Sequence, residues 1–579
     1  MTVSFNNLRE MTAPLSITVR RLILKALGMC LLATVCHARD RANPKIDKLF
    51  AQWDRADSPG AAVVIVKDGT VVYQHGYGYA NLEHRIPITP QTSFDVASVA
   101  KQFTGLSVAM LIQQGKLSQD DDIRKHLPDV PDFGKPITIA NLLHHTSGLR
   151  DWPETLSLSD MDLEGPIGLD VILEMVRRQR ELDFAPGEEF LYSNTGYNLL
   201  AAAVAKVTGQ SFRAWSDANL FRPLGMKHTQ VCDNSAEVVP DRADCYNPGE
   251  KGKFHRVTSQ LSAQGSSSLF ITAEDMGKWL LNFETARVGG GTALEMMRQP
   301  GKLKGGDVVN YGFGLDLGKY HGSPMIRHGG SWAGYRSFVI YIPEKRFGVA
   351  VLSNTGNLDE SGLAVKVADL YLGNSPAKRS DPPSNKTPRT VKSDPATWNP
   401  FLGTYRLGPS WLLTITREGG QLMAQASRED KFGMTPISDR SFFVEAYGAA
   451  VEFVRGNGGQ VTNLLYRGIN APKLNLPELT PDRLAAYVGD YWSEELRVAG
   501  RIEIKDGKLA SRQRSGNWIY LMPTETDRFD AADGFVLEFT RNSVSEITEM
   551  RVSGGRVRKI RYTRVTLPQT ALPAAKSGQ

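Results

Sequence analysis

Cysteine is scarce in this chain, four in 579 residues, and two of the four (Cys30 and Cys36) fall within the first 36 positions. A disulfide-stapled mini-domain scaffold is therefore excluded, and no Cys or His cluster offers a metal site, so no metal and no cofactor is expected. Charge of one sign is also lacking. The formal net charge is +6, and 1–38 holds four basic residues (Arg9, Arg20, Arg21, Lys25) against one acid (Glu10). What remains is too small and too scattered to argue for nucleic acid as a partner. Long hydrophobic runs are absent too. The longest near the start, Ala26 to Val35, is too short to span a bilayer.

What is present is a soluble globular composition, 41% apolar and 22% charged, in a chain long enough for two to four domains. The start, "TVRRLILKALGMCLLATVCHARD", combines a basic stretch, a short apolar run and a small residue at Ala38. It reads as a secretory signal over 1–38, with no membrane span left after its removal. "RRLILK" also fits twin-arginine export, so a periplasmic or secreted protein is expected. In such a compartment Cys232 and Cys245, in "VCDNSAEVVPDRADCY", would pair as a disulfide. The alternative is two free thiols.

Residues 44–374 alternate strand-like and helix-like segments. "GAAVVIVKDGTVVYQHGYGYAN" is a hairpin turning at Asp68-Gly69, "FGVAVLSNTG" an apolar strand, and "DESGLAVKVADLYLG" a closing helix. Strands from both ends of the region would share one antiparallel sheet flanked by helices, an α+β plan. Residues 375–397, rich in Pro, Ser and charge, form a linker. Beyond it the tail repeats itself at an offset of 86 or 87. "FLGTY" returns as "YVGDY", "EGGQLMA" as "KDGKLAS", and "VEFVR" as "LEFTR". Two copies of one β unit follow, at 398–478 and 479–567. Each has about eight short strands, making a small barrel or sandwich.

Three segments carry chemistry. In "FDVASVAKQFTGLSVAMLIQQGKL" an extended stretch runs into a helix with Ser98 and Lys101 one turn apart at its start. Helix N-terminal N–H groups favour developing negative charge there. A desolvated lysine is pushed towards its neutral form, able to accept the serine proton. A second Ser-x-x-Lys, Ser375 to Lys378, lies in the linker and carries no such context. "LYSNTGYNLL" places Tyr192 and Asn194 at a loop-to-helix junction. Tyr192 would share the proton shuttle, and Asn194 would hold either the lysine ammonium or a substrate carbonyl. In "MIRHGGSWAGYRS", His328-Gly329-Gly330 opens a strand expected to pair with "FGVAVLSN". Glycines on a strand mark close approach of another backbone or a ligand. The Ser331 N–H would complete an oxyanion hole with that of Ser98.

Ser98-x-x-Lys101, Tyr192-x-Asn194 and His328-x-Gly330, in that order, resemble the three motifs of the class C β-lactamase and penicillin-binding-protein superfamily. "LLHHTSGLRD" (142–151) and "GSSSLFITAEDMGKWL" (265–280) are similar to further landmarks of that family. The resemblance covers 44–374 and implies an acyl-enzyme mechanism on small-molecule substrates. Ser98 is then the nucleophile, Lys101 and Tyr192 move protons, and two backbone N–H groups hold the oxyanion. One departure stands out. His328 occupies the place where true β-lactamases carry a lysine, so efficient hydrolysis of carboxylate-bearing β-lactams is not expected. His-x-Gly and a tail of two β domains resemble D-aminopeptidases. No tail residue is assigned to the site. The competing expectation is a penicillin-binding or sensor-type protein with little turnover, whose β domains bind a ligand or partner.

Overall fold

In the computed structural model residues 43–373, 390–512 and 518–566 are described, apart from positions 160, 409–410 and 428. The proposed signal, Cys30 and Cys36, and most of the expected linker lie outside them. Among the described residues no helix is long and apolar enough to cross a membrane.

Asp68 and Gly69 both take left-handed backbone (φ 49° and 78°), the two-residue hairpin turn that matches strand twist. They join β1 (Ala61–Lys67) to β2 (Thr70–Tyr77). Four further strands, β3 (Asp316–Tyr320), β4 (Ser323–Trp332), β5 (Tyr335–Ile342) and β6 (Phe347–Ser353), complete one antiparallel sheet. Its order is β3-β4-β5-β6-β1-β2, so both ends of the region share it. β1 is apolar from Ala61 to Val66 because both of its faces are covered. Ala62, Val64 and Val66 join one core with Met276 and Trp279, whereas Ala61, Val63 and Ile65 join another with Phe50 and Val367. The first pair lies on helix α4 (Ala273–Thr285); Phe50 and Val367 lie on α1 (Pro44–Phe50) and α5 (Glu360–Leu372). Two more helices, α2 (Lys101–Gln113) and α3 (Asn194–Thr208), are almost wholly buried in the larger core.

One pairing differs from expectation. β4 pairs with β5, and "FGVAVLSN" pairs with β5 on its other side. The run "MIRHGGSWAGYRSFVIYI" is split by a turn at Ala333, which adopts φ 50°, and so supplies two strands rather than one.

The disulfide expectation is overturned: Cys232 and Cys245 are both free and buried. Cys232 lies outside any strand, whereas Cys245 is part of one. Cys232 follows the strand Gln230–Val231 and packs with Val239 and Phe270; Cys245 opens the strand Cys245–Pro248. Each thiol donates to a nearby carbonyl, of Asn234 at 3.4 Å and of Val257 at 3.3 Å. Burial raises both thiol pKa values, that of Cys245 to about 11, so neither is a ready thiolate.

The tail forms two eight-stranded meanders. The first runs from Gly403–Gly408 to Ile469–Pro472 and is nearly closed by a bridge between Tyr405 and Lys473. The second is a closed barrel, its first strand Gly489–Ser493 pairing with its last, Val557–Val565. The repeated pentapeptides do the same job in each. Tyr405 and Tyr491 are fully buried, and each hydroxyl donates to the carbonyl four residues back, at 2.8 and 2.9 Å. Arg406 joins the barrels through a two-pronged ion pair with Asp530, at 3.1 and 3.0 Å.

The second barrel also packs on the sheet-and-helix domain. Arg150, 1% exposed, lies 2.8 Å from Asp183 and 2.6 Å from Glu495 of that barrel. Arg551 reaches Glu181 at 3.0 Å and Arg558 reaches Glu189 at 2.8 Å.

Candidate active site

Ser98 lies on a 3-10 turn, Ala97–Ala100, that runs directly into α2. It caps neither element: no side-chain cap hydrogen bond is made at this junction. Ala97 before it is held at φ 46°, an uncommon conformation for alanine, and its N–H donates to Asp95 at 2.8 Å. The turn therefore presents the Ser98 side chain to an open cavity instead of to the helix.

Lys101 is wholly buried. Its Nζ lies 3.1 Å from Ser98 Oγ, 2.7 Å from Asn194 Oδ1 and 2.8 Å from the Ser266 carbonyl. An amide oxygen and a carbonyl can only accept, so two lysine hydrogens go to them. The remaining tetrahedral position faces the serine. Burial pulls the Lys101 pKa well below that of a free lysine, against the opposing pull of Asp151. In the neutral amine the lone pair points at the serine hydroxyl. Ser266 arrives through "GSSSLF", where Gly265 takes φ 91° and a side chain would strike the Tyr197 carbonyl of α3 at 2.4 Å. Only glycine lets that loop press so close.

Tyr192 lines the same cavity as Ser98, and burial pushes its phenol pKa up and holds its proton, against the opposing effect of Ser98. Its ring packs on His145 with centroids 4.2 Å apart, and Lys101 Nζ lies 4.9 Å above it. Of the two roles open to Asn194, the structure places it on the lysine. Its orientation is fixed from behind: Asp151 accepts the Asn194 backbone N–H at 2.6 Å and its side-chain NH₂ at 3.0 Å. The amide oxygen is thereby turned to Lys101. Asp151 is fully buried, and burial raises its pKa to about 6 against the opposing charge of Arg556.

His328 and Gly330 lie on β4, and Ser331 follows, exposed. His328 Nδ1 faces the Gly329 carbonyl at 2.7 Å, so this nitrogen carries the hydrogen. Nε2 then accepts from the Tyr311 hydroxyl at 2.8 Å. Burial and the nearby Lys101 lower the His328 pKa to about 3, so the ring is neutral. It supplies no cation to the cavity. Gly330 marks a close approach of backbone: a Cβ there would lie 2.1 Å from the Val96 carbonyl and 2.4 Å from Ser337 Oγ. β3 pairs with β4 only as far as Arg327, which leaves His328–Trp332 unpaired by β3 on that edge.

A cavity of about 600 Å³ collects Ser98, Tyr192, Asn194, His328, Trp332 and, unexpectedly, Arg556. A second, of about 500 Å³, adjoins it through Tyr192, His328 and Gly329 and is walled by Phe190, Leu303, Val308 and Tyr311. Sequence reasoning brings Ser98, Lys101, Tyr192, Asn194, His328, Gly330 and Ser331 to one place. It misses Asp151 and Ser266, although both sit in segments singled out as landmarks, and it misses Arg556 of the second barrel entirely.

Curated relatives match this chain at modest identity. Penicillin-binding protein 4* of Bacillus subtilis is 27% identical over 440 residues, covering 73% of this chain and 96% of its own. A D-aminopeptidase of Gluconobacter oxydans is 27% identical over 539 residues, covering 88% of this chain and 97% of its own. The structure of an octameric penicillin-binding protein homologue from Pyrococcus abyssi superposes with a TM-score of 0.55 at 23% identity. It covers 81% of this chain and 97% of its own, a likeness of fold. The family described as Beta-lactamase matches residues 46–372, more than half of the sequence and the whole of the domain that holds Ser98, Lys101, Tyr192 and His328: the chain belongs to that family.

Proposed function

We propose that the protein is an exported serine hydrolase that cleaves an amide bond in small peptides bearing D-residues, or an ester, through an acyl-Ser98 intermediate. The observation that carries this reading is the placement of Lys101 Nζ, wholly buried and 3.1 Å from Ser98 Oγ with its other directions taken by acceptors. Such an amine has one use for its lone pair, the serine proton.

The reaction then runs as follows. Ser98 Oγ attacks the substrate carbonyl carbon while its proton passes to Lys101. The Ser98 and Ser331 N–H groups hold the resulting oxyanion. The C–N or C–O bond breaks as Tyr192, held protonated by burial, gives its proton to the leaving group and is recharged from Lys101. Water, deprotonated by the same pair, releases the acid and frees Ser98. The apolar side cavity beside His328 suits an apolar substrate side chain. A neutral His328 leaves no cation at the position where a β-lactam carboxylate would need one, so such compounds are poor substrates. The name D-aminopeptidase carried by several relatives supports the peptide reading over the ester.

A fluorophosphonate probe tests the reading. Covalent labelling of the wild type and none of Ser98→Ala is expected; absence of labelling in both would leave only a binding role. Turnover of D-aminoacyl anilides, short acyl esters and a chromogenic cephalosporin then ranks the substrates.

A further inference from the structure

The turn between the last two strands of the second barrel, Ile547–Gly554 and Val557–Val565, enters the catalytic cavity. Gly555 makes the approach possible, since it takes φ 55° and a Cβ there would lie 3.0 Å from the Glu154 side chain. Arg556 follows. Its guanidinium reaches Asp151 at 3.0 Å and Glu154 at 3.1 Å, and lies 5.4 Å above the Tyr192 ring. The Arg556 carbonyl also accepts the Asp151 N–H at 3.3 Å. In the first barrel the matching two-residue turn is Arg467-Gly468, with Gly468 in this place, so an arginine at this position belongs to one copy alone.

We infer that Arg556 is a positioning residue for the general base, acting through Asp151 and Asn194. The inference rests on the hydrolase reading above. Asp151 must be ionised to accept both Asn194 donors and the guanidinium at once. If its Oδ2 were protonated, a donor would face the Asn194 NH₂, and the amide would lose the reason for its orientation. A flipped Asn194 would turn NH₂ towards Lys101, replacing an acceptor with a donor, and the lone pair would leave the serine. The charged and titratable groups facing Asp151 are Arg556, Glu154, Lys101 and Tyr192. Only Arg556 among them neutralises the carboxylate without being needed for proton transfer. A single cation in a buried carboxylate's contact shell lowers its pKa by one to three units.

The test uses the full chain with Arg556→Gln, Arg556→Lys and Asp151→Asn. Removing the guanidinium raises the Asp151 pKa above about 6. The fluorophosphonate labelling rate of Arg556→Gln should therefore keep falling off at higher pH than in the wild type. An acid limb moved up by about one unit or more is expected. Arg556→Lys should return the limb most of the way, which a loss of packing alone would not do. Thermal unfolding supplies a readout that needs no turnover. Arg556→Gln should match the wild type more closely at pH 5 than at pH 8, because the lost pair matters only where Asp151 is ionised. In the Asp151→Asn background that pH difference should vanish. An unmoved acid limb, or an equal stability loss at both pH values, overturns the inference. Should the wild type fail to label while the pH-dependent stability holds, the Arg556–Asp151 linkage stands and the hydrolase reading falls.

Discussion

Lys101 and Asn194, 93 residues apart in the chain, meet at 2.7 Å, and the amide oxygen accepts from the buried amine. This contact aims the lysine at Ser98.

Lys101→Met keeps the length of the side chain and removes the amine. Acylation should fall by about 10³-fold, in the range lost with a general base. The melting temperature should hold or rise, because a buried amine costs stability to desolvate. Labelling kinetics and calorimetry check the two halves. Retention of most activity would take Lys101 out of the mechanism.

Ser98→Ala should abolish turnover with a melting temperature within about 2 °C of the wild type, since it caps no helix and lines a cavity. A large stability loss would make the serine structural.

Gly330→Ala should destabilise the protein by about 2 kcal/mol, as overpacking does. The added methyl would meet the Val96 carbonyl and Ser337 Oγ, pushing β4 away from the Ser98 turn. Denaturant unfolding reads the first effect, and labelling rate the second.

The rate of acylation should rise with pH on its acid side as Asp151 ionises and the lysine loses its proton, because burial has raised the first pKa to about 6 and brought the second down from the usual lysine range. His328, with a pKa of about 3, is already neutral over the working range. His328→Gln should therefore leave the acid limb where it is, whatever it does to KM. A limb that disappears with His328 would assign it to the imidazole.

Alkylation of the unfolded, unreduced protein should modify both Cys232 and Cys245, read by peptide mass spectrometry. A reductant should leave the melting temperature unchanged. A peptide pair linked through the two sulfurs would contradict the buried free thiols.

The catalytic constellation was legible because it is local: Ser98 with Lys101, and Tyr192 with Asn194, are each one turn or less apart at a helix start. The repeat was legible for a similar reason, since "FLGTY" and "YVGDY" encode one buried tyrosine with one hydrogen bond in each barrel. Asp151 and Arg556 were not. Nothing near "LRD" distinguishes a carboxylate that orients an amide from one on a surface. An arginine in "SGGRVRK" gains its meaning only when the barrel docks. The strand at 335–342 was hidden because no proline, Asn-Gly or Asp-Gly marks the turn before it, and the break lies at a left-handed Ala333. The disulfide expectation rested on compartment chemistry, which says nothing of where the fold buries each cysteine.

Arg556 stands near the end of a chain of 579 residues. A ribosome will have made the nucleophile, its base and the sheet beneath them long before it reaches the residue that steadies them. Nascent and prematurely terminated products would thus hold the reactive groups without the final brace.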